Sequence, residues 1–284
     1  MGVVARALCG VTITLALAAC SLTALDGLSD GTPTPRDPEK PTSTEDSGSI
    51  TLEDAGDAST SYAGGLLADH PLGYWRLGET SVGEAADQTK RNPGVMAGGI
   101  AGGEPGAIAG DPNTAMRFDG VTSQISVPGN AFDFARRSPF SIEAWIYPTK
   151  IDSTYRRIAS NERRTGSQRQ GWTFWVVEDG SDGVLGFERY RDGTADGVGT
   201  NGIIVGRWVH AVVTYDGATL LLFVDGALAS SATSKTWELL GSSNMFLATD
   251  PENNRWTGSL DEIAIYDYAL TPTTIKAHYA AAGR

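Results

Sequence analysis

Phe140–Tyr147 reads FSIEAWIY and Trp208–Tyr215 reads WVHAVVTY. Both alternate with a period of two. In the first, Phe140, Ile142, Ala144 and Ile146 share one face, and Ser141, Glu143, Trp145 and Tyr147 share the other. In the second, Val209, Ala211, Val213 and Tyr215 oppose Trp208, His210, Val212 and Thr214. Successive side chains of a strand point to opposite faces. Each stretch is therefore a strand with one small and apolar face, which needs a second sheet to pack against. The other face, with Trp beside polar groups, is half covered by loops or lines a concave side.

Similar short runs continue in both directions between Gly, Asp, Asn and Pro punctuation. Upstream are Gly73–Leu77, Ala115–Phe118 and Gln124–Val127. Downstream are Arg157–Ser160, Trp172–Val177, Val184–Tyr190, Thr219–Val224, Met245–Ala248 and Leu260–Tyr266. Asp216-Gly217 and Asp225-Gly226 supply the positive φ that tight hairpins need. Only the end of the chain reads as helix, with Thr271 as N-cap, Pro272 as first residue, and Ile275, His278 and Tyr279 on one face. The pattern predicts an all-β, two-sheet antiparallel jelly-roll sandwich with a short C-terminal helix, spanning residues 63–284 as one domain.

The remainder precedes it. Arg6 and the apolar run Ala7–Ala19 form a signal-peptide core, shorter than a membrane span. It ends Leu17-Ala18-Ala19-Cys20, which resembles a bacterial lipobox, so residues 1–19 are read as a lipoprotein signal peptide and Cys20 as the lipidated residue. The alternative is an ordinary signal cut after Ala19. Residue 21 is Ser rather than Asp, so the expected location is the cell envelope, by lipid anchor, at the outer membrane or surface in a Gram-negative host. Residues 20–62 are rich in Ser, Thr, Pro and Asp, and positions 21–62 hold nine acids against two bases. Such a segment cannot bury enough apolar area to offset its ordering entropy, and it reads as a disordered tether reaching roughly 35–40 Å. The whole chain has 22 Lys+Arg against 34 Asp+Glu, a net charge of −12. That excludes ordinary nucleic-acid binding, which needs a basic surface. Both of its cysteines, Cys9 and Cys20, precede the folded part, so no disulfide framework is available there.

Tyr74–Glu79 (YWRLGE), Arg117–Gly120 (RFDG), Phe140–Pro148, Arg207–Asp216 with Phe223–Gly226 (FVDG), and Gly258–Leu270 (GSLDEIAIYDYAL) follow one another in this order. Together they resemble the laminin-G-like, concanavalin A-like jelly-roll domains of secreted bacterial proteins. The resemblance implies two curved antiparallel sheets, frequent carbohydrate or protein binding, and often a structural Ca²⁺ near the positions of Asp119 and Asp261. By their own setting these two residues have another reading. Asp119 precedes Gly120 and can cap a turn. Asp261, placed by parity beside Ile263 and Ile265, can accept backbone N–H groups.

Catalysis has little to build on. No strand carries the alternating carboxylates that a glycosidase of the laminarinase type uses. Asp261 and Glu262 are adjacent, so a regular strand sends them to opposite faces. His70, His210 and His278 are far apart in sequence, and His210 reads as a packed or half-exposed strand histidine. Glu143 reads as a charge on the solvent or concave face. The chain is therefore not expected to be an enzyme. Recognition has one candidate. Arg163, Arg164 and Arg169 fall in Asn161–Gly171, read as a hairpin loop, close to Trp172 and Tyr190. Arginines and aromatics on a rim suit anionic sugars or acidic protein surfaces, although local acids can also account for the arginines. The expected function is a lipid-anchored, non-catalytic surface module for carbohydrate or glycoprotein, possessing a structural Ca²⁺ if the resemblance holds there. The alternatives are an adhesive protein that binds other proteins and, last, a glycan-active enzyme.

Overall fold

A computed structural model describes residues 61–166, 168–180, 182–191, 194–234 and 244–284. The signal peptide, Cys20 and all but the last two residues of the tether lie outside the described residues. Helix α1 (Tyr62–Ala68) opens the described chain. It is followed by β1 (Gly73–Trp75), β2 (Glu84–Ala85), β3 (Gly94–Ala97), β4 (Ile100–Pro105), β5 (Thr114–Asp119) and β6 (Gln124–Val127). Next come β7 (Phe140–Pro148), β8 (Arg156–Thr165), β9 (Gln168–Asp179), β10 (Asp182–Arg191) and β11 (Thr194–Ile203). The last strands are β12 (Val209–Tyr215), β13 (Thr219–Val224), β14 (Ala227–Thr233), β15 (Met245–Leu247) and β16 (Thr257–Tyr266), before helix α2 (Pro272–Ala281).

The strands form two antiparallel eight-stranded sheets. The first runs β14-β13-β12-β7-β16-β5-β4, with β1 also paired to β16. The second runs β11-β10-β9-β8-β15-β6-β3-β2. Phe140, Ile142, Ala144 and Ile146 of β7 and Val209, Ala211, Val213 and Tyr215 of β12 lie in the core between the sheets. They meet Trp172, Phe174, Val176, Leu185 and Phe187 of the second sheet. The sandwich expected from the alternation is the one observed. The C-terminal helix also starts as read, with Thr271 Oγ1 accepting from the Thr274 N–H at 3.1 Å. At the β13–β14 turn, Asp225 and Gly226 both have positive φ, 50° and 74°, the twist a two-residue hairpin requires.

The mixed faces of β7 and β12 differ from expectation. Helices rather than a loop or solvent cover their centre. Trp145 and Val212 form a second core with Tyr62 and Leu66 of α1 and Ile275 of α2. The two helices thus close the outer face of the first sheet. Helix α1, at the junction of tether and domain, was missed because it spans only seven residues, two of them glycine. The edge strands β11 and β14 were also missed, since TADGVGTNGI and ALASSAT lack the β-branched and aromatic alternation of inner strands.

Two local readings are corrected. Asn161–Gly171 is mostly ladder rather than loop. Glu162 pairs with Gly171, Arg163 with Gln170, and Arg164 with Arg169, and the turn is confined to the tip around Gly166. The strand persists through a charged run because its acids and bases pair across it. In β16, Asp261 lies opposite Trp145, but Ala264 lies opposite Glu143, so one extra residue is inserted. Glu262, with φ 50°, occupies this bulge. A bulge shifts parity. Asp261 therefore leaves the face of Ile263 and Ile265, and it shares one cluster with Glu262.

Candidate functional site

A sandwich has two outer faces. On the first sheet, α1 and α2 seal theirs over a buried polar chain. Glu143 Oε1 lies 2.8 Å from His210 Nε2, and its Oε2 lies 2.9 Å from His278 Nδ1. His278 Nε2 in turn is 2.9 Å from Asp69 Oδ2. Tyr62 donates to Glu143 at 3.3 Å and accepts the Trp145 indole N–H at 2.9 Å. The two histidines, distant in sequence, thus share one carboxylate, and Glu143 is neither on solvent nor on a concave face. Burial alone would lift the Glu143 carboxyl, but His278 and His210 hold it well below the usual carboxylate range. Burial alone would lower the His278 imidazole, yet Glu143 and then Asp69 raise it to about 9. Every group but one His210 nitrogen is matched within the protein. This chain clamps the helices to the sheet.

The outer face of the second sheet carries the open chemistry. Across β8, β9, β10 and β11, one row reads Arg157, Trp175, Gly186 and Gly199. The next reads Ser160, Thr173, Glu188 and Gly197, and the third Glu162, Gly171, Tyr190 and Ala195. Arg164 and Arg169 end the face near the hairpin tip. The Trp175 indole lies across Gly186, where an added Cβ would stand 2.4 Å from the ring. Only glycine fits beneath it. Tyr155, 46% exposed, meets the indole edge-on at 4.8 Å. The Arg157 guanidinium carbon lies 5.6 Å from the Tyr155 ring centroid.

The cations of this face are matched to acids. Arg157 Nε donates to Asp250 at 2.7 Å. Arg164 reaches Glu162 and Glu252, each at 2.6 Å. Arg169 donates to both oxygens of Glu162, at 2.6 and 2.8 Å, with its guanidinium carbon 3.5 Å above the Tyr190 ring. Tyr190 donates to Glu188. Burial, then the Glu188 contact, raise the Tyr190 phenol above its ordinary value. Three polar atoms on this face are buried without a partner: Arg157 Nη1, Trp175 Nε1 and Thr173 Oγ1. An unmatched buried donor costs about 1–3 kcal/mol, so this is where an incoming group gains most.

The expected recognition residues divide. Arg164, Arg169 and Tyr190 are brought together on this face. Arg163, of opposite parity, turns away toward Asp133. Trp172 is not on a rim. It is 2% exposed in the core, its indole N–H donating to the Phe132 carbonyl at 2.9 Å. Tyr190 is also buried, under Arg169. Trp175 is the tryptophan on the outer face. Parity pointed to it, because Trp172, Phe174 and Val176 form an unbroken apolar face whereas Thr173, Trp175 and Val177 do not.

Asp119 and Asp261 are not brought together. Asp119 pairs with Thr257, four positions from Asp261 on the same strand, or about 13 Å at ~3.3 Å per residue. Asp119 Oδ1 accepts the N–H groups of Val121, Thr122 and Ser123, and Oδ2 accepts Thr122 Oγ1. Its oxygens are filled by donors and do not suit a cation. Asp261 differs. The Asn113 amide nitrogen stands among four oxygens: the Arg76 and Thr114 carbonyls, both at 3.1 Å, and Asp261 Oδ1 and Glu262 Oε1, both at 3.4 Å. Arg76 pairs with Asp111 at 2.8 Å and Glu262 at 2.7 Å, and its charge also acts on Asp261. Burial, then the neighbouring Glu262 charge, push the Asp261 carboxyl far above the usual carboxylate range. Carboxylates with carbonyls are Ca²⁺ donors, so the surroundings of Asp261 offer that ion's donor types, with Glu262 as the second carboxylate in place of Asp119, although Glu262 already accepts from Arg76 and Tyr74 and Asp261 Oδ2 from the Ala107 N–H.

The family model described as "Concanavalin A-like lectin/glucanases superfamily", Laminin_G_3, matches residues 119–276. The chain belongs to this superfamily. No curated protein matches it in sequence. Among solved structures of the superfamily's fold, domain 4 of AbnA, a GH43 extracellular arabinanase from Geobacillus stearothermophilus, in complex with arabinotriose, is similar. It has 20% identity and a TM-score of 0.54, over 74% of this chain and 98% of that one. The binding domain of Paraclostridial Mosquitocidal Protein 1 has 17% identity and a TM-score of 0.57, over 75% of this chain. The binding domain of botulinum neurotoxin DC in complex with SialylT has 11% identity and a TM-score of 0.54, also over 75%. The chain spans about half of each toxin binding domain, 52%. At these identities the likeness is one of fold.

Proposed function

We propose that this superfamily member is a non-catalytic module that binds carbohydrate on the outer face of the second sheet. The observation that carries the reading is the pair of unpartnered donors, Arg157 Nη1 and Trp175 Nε1, in register on β8 and β9 beside exposed Tyr155. Sugars present hydroxyls that accept such N–H groups and C–H faces that stack on aromatic rings. The opposite face is closed by helices, which leaves one face to serve. The arabinotriose and SialylT complexes of similar folds support this class of ligand. Binding rather than hydrolysis is favoured because Glu162, with guanidinium donors on both oxygens, is committed as an acceptor within the protein. Titration against a glycan array identifies the ligand, and Tyr155→Ala weakens it at least tenfold while the melting temperature stays within about 2 °C. Unaltered binding by that variant removes this face from consideration.

Protein docking is the second reading. A cavity of about 240 Å³ is lined by Ile151, Ile203, Ile204, Val205, Gly183, Glu178 and Asp182, with Ile204 and Val205 half exposed. An adhesive protein would use that apolar patch, and Ile204→Asp rather than Tyr155→Ala would then abolish attachment.

Calcium belongs to the same proposal as a structural ion held by Asp261, Glu262 and the Arg76 and Thr114 carbonyls. It would supply the positive charge that Arg76 alone does not, joining β16 to the segments carrying Arg76 and Thr114. An ion that binds only the folded form adds about 2.7 kcal/mol at a hundredfold excess over Kd. Ca²⁺ therefore raises the melting temperature more than Mg²⁺, Asp261→Asn abolishes the shift, and Asp119→Asn preserves it. Equal melting in Ca²⁺ and EDTA, with no metal found by elemental analysis, overturns the assignment.

The module is held at the envelope by a lipid on Cys20, with the Ser/Thr/Pro/Asp-rich segment as spacer. Among the described residues no helix is long and apolar enough to cross a membrane. Cys20→Ala releases the protein from the membrane fraction or leaves the precursor uncut. Retention with normal cleavage after Ala19 refutes the anchor.

A further inference from the structure

We infer that the outer face of the second sheet selects an uncharged oligosaccharide and discriminates against acidic sugars, an inference that rests on the carbohydrate-binding reading above. Arginines next to aromatics suggest anion recognition when read as sequence. The geometry reverses this. Among the described residues between the Arg157 row and the hairpin tip, the face holds three guanidinium groups, Arg157, Arg164 and Arg169, and four carboxylates, Glu162, Glu188, Asp250 and Glu252. Each of the three guanidiniums is already paired at 2.6–2.7 Å, and Arg169 grips Glu162 with two nitrogens.

An arriving carboxylate or sulfate would have to break one of these pairs and leave its acid facing the ligand. Bidentate charge-assisted bonds are the strong kind, and releasing a buried partner leaves an uncompensated charge. The acids also outnumber the bases, so the local field repels an anion before contact. A neutral sugar meets none of these costs. It displaces no ion pair, its C–H face meets the exposed Tyr155 ring, and the unpartnered Trp175 Nε1 and Arg157 Nη1 lie just beneath that contact. Its hydroxyls donate to the remaining lone pairs of Glu188 and of the exposed Glu252.

The layout also sets a minimum length. Trp175 and Gly171 are four residues apart on β9, so the Arg157–Trp175 row and the Tyr190 row are separated by about 13 Å. That is longer than a single sugar ring, and a chain of several units is needed to touch both. On β11, Gly199 in the first row and Gly197 in the row between present bare backbone, a strip without side chains along which a chain can lie.

The test is calorimetric titration of the full-length protein at 20 and 300 mM NaCl. The neutral probes are arabinopentaose, xylopentaose, cellopentaose, laminaripentaose and chitopentaose. The acidic probes are pentagalacturonate and pentamannuronate. The expected result is binding of at least one neutral pentasaccharide, changed less than twofold by salt, with both acidic ones at least tenfold weaker. Glu252→Gln, which frees Arg164 from its exposed partner, is expected to strengthen pentagalacturonate binding at least threefold at low salt. Acidic probes that bind as tightly as neutral ones, or a Glu252→Gln variant that leaves acidic binding unmoved, overturn the charge argument while the carbohydrate reading stands. Failure of every probe, neutral and acidic, overturns both.

Discussion

Glu143→Ala lowers the folding free energy by about 3–5 kcal/mol, the cost of removing one partner from a buried ion pair. Glu143 is fully buried and bonded to His210 at 2.8 Å and His278 at 2.9 Å. Without it, His278 keeps only Asp69, and His210 Nε2 is left in a closed space without its acceptor. The effect depends on pH, and its sign follows from the two shifts. His278 has a folded pKa of about 9, above its unfolded value of about 6.5. Its contribution is complete below the unfolded value and is lost as pH rises through about 9. Glu143 is shifted downward. Its contribution is present above the ordinary carboxylate range and is lost as pH falls below it. Urea titrations therefore show the widest gap between wild type and variant near neutrality, narrowing toward alkaline pH. A gap of less than 1 kcal/mol at pH 7 means that the cluster does not clamp the helices.

Trp145→Ala costs about 3–5 kcal/mol, typical of an aromatic truncated in a core. The side chain is fully buried. Its ring stacks on Tyr279 of α2 with centroids 6.0 Å apart, and lies 5.0 Å from His210. Its N–H reaches Tyr62 of α1. One side chain thus touches both helices and the sheet. Removing it leaves a cavity that rigid strands cannot collapse. Urea denaturation measures the loss, and limited proteolysis adds a second readout, because α1 and α2 are the elements that detach first. A change below half a kcal/mol would place Trp145 outside any core.

The functional face was only half legible in the sequence. Arg164, Arg169 and Tyr190 were recognised as a group because they are close along the chain. Local acids, Glu162 and Glu188, supply part of their counter-charge, but Glu252, the second partner of Arg164, follows β15, far along the sequence, and arrives only when β15 pairs with β8. Choosing Trp172 over Trp175 was a matter of parity that the alternation could have settled. The histidines failed for another reason. His210 and His278 meet at Glu143 through a strand pairing, β12 to β7, and the docking of α2, and neither leaves a mark at short range.

By itself the sequence determined the two-sheet sandwich, its inner faces and the C-terminal helix cap, because period-two alternation, Asp-Gly turns and a Thr-Pro start act over a few residues. Only the tertiary structure decided which outer face is open and which is sealed. It decided that a bulge at Glu262 turns two adjacent carboxylates into one cluster, and that the arginines arrive already neutralised. Those outcomes depend on which distant segments become neighbours. Burial, pairing and charge balance are properties of the neighbourhood, and no local pattern of residues encodes them.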